Sequence, residues 1–188
     1  MKKIWIVLIV AAVIILSLGG WFIKGLNTVV IFDENVKQAW AQVENQLQRR
    51  NDLIPNLLNT VKGYAAHEKG VFTKITELRS QWAKAQTTSQ KIEASRGMTA
   101  ALSKLLLVAE NYPNLKANDN FLALQSQLEG TENRIAVERR RYNHAVLSFN
   151  AYKRTVFGSL FARLRDLVKP AAYFETEEIA RQVPVVKF

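Results

Sequence analysis

Apolar residues fill the first part of the chain without interruption. Residues 4–23 read IWIVLIVAAVIILSLGGWFI and include no charged side chain. Twenty helical residues rise about 30 Å, which matches the hydrocarbon thickness of a bilayer. The pattern predicts a single-pass N-terminal transmembrane helix, with residues 1–25 as a membrane anchor.

The two ends of this run carry side chains that suit a membrane–water interface. Aromatic rings favour the headgroup level, and long basic side chains can extend their charge out of the hydrocarbon. We expect these interfacial roles for Trp5, Trp21, Lys2, Lys3 and Lys24.

The apolar run is either a retained membrane anchor or a signal peptide that is cleaved. Ser17 and Gly19 are small enough to permit cleavage of a signal peptide after Gly19. The apolar run continues through residues 21–23, however, and this favours a retained anchor. Lys2, Lys3 and the amino group precede the run, whereas the basic residues after it are mixed with acidic ones. This bias predicts that the N-terminus is inside and the domain outside.

Beyond the anchor, apolar residues recur at intervals of three, four or seven, which is the spacing of one helix face. These runs cover residues 36–47, 57–82, 92–111 and 121–167. No alternation typical of strands persists. The sequence therefore predicts an all-α fold, in which residues 26–169 form an antiparallel bundle of long helices and residues 170–188 form a tail.

Several helix boundaries can also be predicted. Pro55 lacks a backbone donor, so we expect a kink or a break near residues 51–55. The polar segment 86–90 predicts a turn. We expect Tyr112-Pro113-Asn114 to end the third helix and Asn118-Asp119-Asn120 to cap the fourth. The fourth helix is expected to continue to Pro170. A short helix is expected near residues 175–182.

The composition and motifs of the chain argue against several kinds of catalytic and metal-binding site. There are no cysteines and two histidines, which excludes thiolate catalysis and argues against a His-rich metal site. His67-Glu68 resembles the start of a zinc-binding helix motif, but position 71 is Val rather than His. No Gly-rich phosphate loop or nucleophile motif is present. We therefore expect no enzyme activity, no cofactor and no small-molecule substrate.

Long motifs resemble those of a known family. They are AWAQVENQLQRRNDLIPNLLNTVKGYAAHE (39–68), ENYPNLKANDNF (110–121), QLEGTENRIAVERRRYNHAVLSFN (127–150) and ARQVPVVKF (180–188). In this order they resemble the LemA family of bacterial membrane-anchored proteins. The resemblance implies a single N-terminal membrane helix in a bacterial cytoplasmic membrane, a helical-bundle domain and no catalytic residues; together with the charge bias, we expect the domain on the outer or periplasmic side of that membrane. It departs at Val156-Phe157-Gly158, where the family often has Phe-Pro, so we expect the fourth helix to continue unbroken.

One polar cluster stands beside an apolar run. It consists of Arg49, Arg50 and Asp52. A structural interpretation is a buried Arg50–carboxylate pair with Glu110 or Glu132, which would fix the helix register because breaking such a pair is costly. The functional interpretation is a docking site for a partner.

The net charge of +10 predicts an anionic partner. The last predicted helix is rich in basic residues, and its second half also carries Phe and Leu residues. This combination is typical of binding at an anionic membrane surface. The alternative is a solvated face whose apolar side packs in the bundle or on a sister subunit. No nucleic-acid motif accompanies the charge. The basic stretch consists of Arg139, Arg140, Arg141, Lys153, Arg154, Arg163, Arg165 and Lys169.

The predicted function follows from these features. The lipid bilayer is the first partner, and the long heptad surfaces favour a non-enzymatic scaffold whose copies assemble laterally into a homo-oligomer. The alternative is an adaptor or regulator of another membrane protein, such as a membrane peptidase.

Overall fold

The computed structural model describes residues 2–175, with the side chain of Lys2 excepted. The described chain contains six α-helices and no strand, which confirms the all-α prediction. The helices are α1 (Lys2–Lys62), α2 (Lys69–Lys84), α3 (Thr88–Glu110), α4 (Pro113–Lys116), α5 (Asp119–Arg154) and α6 (Val156–Leu164).

The first helix carries the apolar run. Its most apolar window has a mean hydropathy of 2.8 and no buried residue. Large side chains such as Ile4, Leu8 and Leu16 therefore lie fully on the outside of the protein. Such a surface is stable in lipid and not in water. By length and composition, this segment can therefore span a membrane.

Of the kink or break predicted at residues 51–55, the break is wrong. Pro55 lies inside the continuous helix. An interior proline costs about 3 kcal/mol, but Leu47, Ile54 and Leu57 on either side of it are buried. Because the burial of each such side chain contributes about 1.5–3 kcal/mol, packing outweighs the local penalty.

The second predicted run is interrupted instead. Helix α1 ends at Lys62 and α2 begins at Lys69, so a single helix over residues 57–82 is wrong. The chain turns after Val61, whose carbonyl oxygen accepts from the Tyr64 and Ala65 amides at 3.0 and 2.9 Å. Gly63, a poor helix former, occupies this turn.

The next two connections agree with the sequence. Thr87 caps α3 in a reciprocal capping box with Gln90, which shortens the predicted turn at 86–90. The Phe121 amide donates to Asn118 Oδ1 at 3.0 Å, so the predicted cap at residues 118–120 is present and Asn118 is the capping residue of α5.

The expectation of an unbroken last helix is wrong. Helix α5 ends at Arg154, and Thr155 caps a separate helix, α6, by accepting from the Gly158 amide at 3.0 Å. A Cβ at Gly158 would lie 2.0 Å from the Tyr152 carbonyl oxygen, so only glycine fits this close approach. The short helix expected near 175–182 lies outside the described residues, apart from Glu175, which is not helical.

The described chain forms two compact units. The anchor unit comprises residues 2–40 and 142–171, and the bundle unit comprises residues 41–141 and 172–175. Five helices contribute to one core of the bundle unit, which explains the predicted heptad faces. Its most deeply buried side chains include Ile54, Leu57, Val61, Ile75, Met98, Leu105, Leu115 and Phe121.

Candidate functional site

The anchor unit brings α6 against the end of the apolar span. Phe157 and Phe161 pack edge-on against Trp21, with ring centroids 4.9 and 5.6 Å away. Phe161 also contacts the ring of Phe22 at 5.5 Å. Gly25 permits this approach, since a Cβ there would lie 2.1 Å from the Phe161 ring. The aromatic cluster therefore fixes α6 beside the last turns of the membrane segment.

Helix α6 presents apolar side chains on two sides. One side is buried and consists of Gly158, Phe161 and Ala162. The other is exposed: Val156 is 80% accessible and Leu164 is 56% accessible. A helix whose second apolar face remains open normally marks an interaction surface. The exposed apolar face, as used below, consists of Val156, Phe157, Leu160 and Leu164.

The predicted basic stretch divides between the two units. Arg154, Arg163, Arg165 and Lys169 are exposed and belong to the anchor unit. Arg139, Arg140 and Arg141 belong to the bundle unit.

Within the bundle unit, Arg139 lies over the Phe174 ring at 5.3 Å. Arg141 pairs with Glu138 at 2.7 Å, and Arg140 is exposed.

Lys153 differs from its basic neighbours. Its ammonium lies 3.9 Å from the Phe149 ring centroid and donates to the Lys169 carbonyl oxygen at 2.5 Å. Burial lowers the pKa of Lys153, and the charge of Asp33 acts in the opposite direction. This side chain therefore holds the segment after α6 against α5 rather than facing outward.

The predicted interfacial residues of the anchor lie at its surface. Trp5, Lys3 and Lys24 are exposed, and Trp21 is exposed on the side that α6 does not cover. The side chain of Lys2 lies outside the described set.

The polar cluster of the bundle unit resolves into three different residues. Arg50 is 1% exposed and pairs with Glu132 Oε1 at 3.0 Å. Arg49 and Asp52 are exposed, and Asp52 accepts from Gln48 at 2.7 Å. Of the two predicted carboxylate partners, Arg50 contacts Glu132. The other, Glu110, pairs with Lys116.

The Arg50 guanidinium joins three helices of the bundle unit. It donates to Ser95 O at 3.2 Å, to Ser95 Oγ at 2.9 Å and to Thr99 Oγ1 at 3.0 Å, all on α3. Glu132 on α5 supplies the charge partner. A planar guanidinium can satisfy several acceptors at once, which a lysine ammonium cannot do in the same geometry. Arg50 therefore fixes the register of α1 against α3 and α5.

A polar cleft between α1 and α2 was not predicted. It is lined by Gln48, Asn51, Asp52, Thr76, Arg79, Ser80, Trp82 and Ala83. Asn51 is buried, yet neither atom of its amide has a hydrogen-bond partner within residues 2–175. The Trp82 indole N–H has none there either. Only the position of Asn51 next to Arg50 could have drawn attention to it.

A second groove runs between α3 and α5. Leu102 and Leu128 form its buried floor, and polar side chains line its edges. Helical spacing places Leu107 and Leu122 on the same rows as the lining residues, nearer the connection between the two helices. Both leucines are exposed, and Leu107 is 69% accessible. The full lining is Thr99, Leu102, Ser103, Leu106, Leu128, Glu129, Glu132 and Asn133.

Comparison with known proteins supports the family resemblance. The sequence model of the LemA family matches residues 39–188. Protein LemA of Metamycoplasma hominis is 25% identical over 171 residues, which cover 89% of this chain and 78% of that protein. Magnetosome protein MamQ 2 of Paramagnetospirillum magneticum is 26% identical over 150 residues, which cover 66% of this chain and 55% of that protein. The chain thus spans about half the length of this magnetosome relative.

Proposed function

The chain belongs to the LemA family, and from that premise we propose that it is a non-enzymatic, membrane-anchored protein whose copies assemble laterally at the membrane surface. The observation that carries this proposal is the groove between α3 and α5, with exposed Leu107 and Leu122 beside it. The proposed occupant is the same surface of a second copy.

The groove has the composition of an interface. Its floor is apolar, and Ser103, Glu129 and Asn133 provide a polar rim, which is the arrangement found at protein–protein contacts. Removing a leucine side chain from water contributes about 1.5–3 kcal/mol. Leu107 and Leu122 would supply such a contribution from each copy.

The anchor favours self-association over capture of a soluble protein. Anchored copies share one orientation and are confined to a plane, which raises their local concentration. Identical anchors also permit a two-fold contact whose axis is perpendicular to the membrane. A weak groove contact can therefore produce a stable assembly in the membrane.

The chemistry of the side chains supports the non-enzymatic part of this proposal. Among residues 2–175 no group of three His, Asp or Glu side chains could hold a metal ion. The sequence contains no phosphate loop and no nucleophile motif. These observations support an interaction protein.

The test uses the full chain in lipid nanodiscs large enough for several copies. We expect chemical cross-linking and mass measurement to show a discrete oligomer, and Leu107→Glu and Leu122→Glu to shift it to the monomer while leaving helicity unchanged. Leu147→Glu is the matched control because Leu147 is another exposed leucine outside the groove. A wild-type protein that remains monomeric at high surface density would refute the proposal.

The adaptor function is favoured by a different observation, the polar cleft that contains Asn51. Because the Asn51 amide is buried at the cleft, a partner would reach it only by entering the cleft and displacing lining side chains, and would then satisfy a donor and an acceptor that lack partners within residues 2–175. Under this alternative the full chain is a monomer that co-purifies with another membrane protein. Asn51→Leu would abolish that association, and Asn56→Leu, at an exposed position of the same helix, would not.

For orientation, we propose that the domain lies on the outer or periplasmic side of a bacterial cytoplasmic membrane. Support comes from Lys2, Lys3 and the amino group at one end of the span, against mixed charges at the other. Protease added to intact spheroplasts should digest the domain, and protection of the domain would reverse this assignment.

A further inference from the structure

We propose that α6 is a second membrane contact: it lies in the interfacial layer beside the anchor and buries its exposed apolar face at the boundary between headgroups and hydrocarbon of an anionic leaflet. This inference rests on the membrane anchor alone and does not require self-assembly.

The depth of α6 follows from its contacts. Trp21 stands near the end of the apolar span, where a tryptophan ring favours the headgroup level. Phe157 and Phe161 both contact the Trp21 ring, so α6 lies at the same level. The Tyr152 hydroxyl donates to the Gly25 carbonyl oxygen at 3.3 Å, which ties the preceding turn of α5 to the same part of α1.

The exposed apolar face has the chemistry that lipid would cover. Val156, Leu160 and Leu164 are not among the buried residues of α6, and they are 80%, 47% and 56% accessible. The Phe157 ring contacts Trp21 and is itself more than half exposed, so the apolar surface of the span continues onto α6 without a polar gap. Because that span lies in the hydrocarbon, lipid is the nearest apolar material that can cover the exposed apolar face.

The basic residues that flank α6 indicate that the bilayer surface is anionic. Arg154, Arg163, Arg165 and Lys169 flank α6 and are exposed, whereas Asp166 is the one acidic residue between positions 154 and 171. Basic residues around an apolar face are the pattern of helices that bind in the plane of an anionic surface.

The experiment uses the absence of cysteine from the chain. Single variants Leu160→Cys and Leu164→Cys of the full chain are labelled with an environment-sensitive fluorophore and reconstituted in vesicles that contain phosphatidylglycerol. Quenching is measured with a lipid-borne spin label and with aqueous iodide. Lys74→Cys, at an exposed position of the bundle unit, is the control.

We expect the two α6 labels to be quenched severalfold more strongly by the lipid-borne group than the control, and to be protected from iodide. In vesicles of phosphatidylcholine alone this difference should shrink, and Arg163→Gln together with Arg165→Gln should reduce the dependence on anionic lipid. Labels that iodide quenches as readily as the control would overturn the proposal. Labels protected from both quenchers would also overturn it, because they would show that protein covers the face.

Discussion

Replacing the buried Arg50 by alanine should destabilise the bundle unit more than replacing an exposed residue of the same helix. Arg50 makes four hydrogen bonds, to Ser95 O, Ser95 Oγ, Thr99 and Glu132. Removing one member of a buried ion pair costs about 3–5 kcal/mol, because the partner groups stay behind without a substitute.

The surroundings of the pair set the size of this effect. The Glu132 side chain is 34% exposed, so its carboxylate can regain water, whereas Ser95 is buried and cannot. We therefore expect the lower end of that range, about 3 kcal/mol. For a chain of this length each kcal/mol lowers the melting temperature by about 2–4 °C. Arg50→Ala should then melt about 6–12 °C lower.

Thermal unfolding of the full chain in detergent, followed by circular dichroism, measures this shift. Arg49→Ala is the matched control, since Arg49 is the exposed neighbour and should change stability by about 0.5 kcal/mol or less. Arg50→Met, which fills the space without the charge, should lose less than Arg50→Ala. An Arg50→Ala protein that melts with the parent would refute the structural role, and loss of assembly at an unchanged melting temperature would favour the docking interpretation.

Three further changes test other parts of the structure. Asn51→Leu should stabilise the isolated protein by about 1–3 kcal/mol, since it removes unpaired amide groups; a lower melting temperature would contradict this. Gly158→Ala should cost about 1–3 kcal/mol by forcing backbone apart, whereas Gly130→Ala, with open space around it, should be neutral or stabilising in the same melts. Burial raises the pKa of Tyr142 from 10.0 to about 12, so the unfolded chain loses this proton first and the free energy of unfolding should fall as the pH rises from 10 to 12. Urea titrations at both ends of this range should show a smaller fall for Tyr142→Phe. An equal fall in both proteins would contradict the assignment.

The fold was largely predictable because its helices carry one buried face each. Val43, Leu47 and Ile54 are all buried, as their spacing predicts. The errors arose where a local signal competed with packing. Pro55 predicted a break that buried neighbours on both sides override. At Thr155 the error was the reverse, because the apolar spacing continues in phase and predicts one helix where the structure has two. The helix end is marked only by the capping hydroxyl of Thr155 and by the close-packed Gly158.

The site residues were predictable to a different degree. The Arg50–Glu132 contact is one of the two pairings that the sequence predicts, because a charge beside an apolar run needs a partner. The Asn51 amide could not, since an unpaired group is defined by what surrounds it. The basic stretch was found by composition, but its division into exposed Arg163 and inward-facing Lys153 depends on the turn at Thr155.

The contact between Trp21 and α6 has a consequence for the order of folding. The bundle unit is built mainly from one continuous stretch, residues 41–141, so it can fold as soon as that stretch leaves the ribosome. The anchor unit joins segments from opposite ends of the chain, and its aromatic cluster must wait until Phe161 has been synthesised. We therefore expect chains that end before Phe157, followed by a linker long enough to carry them clear of the ribosome, to contain a protease-resistant bundle while Trp21 still lacks its aromatic neighbours, so that the anchor, although made first, is completed only after most of the bundle.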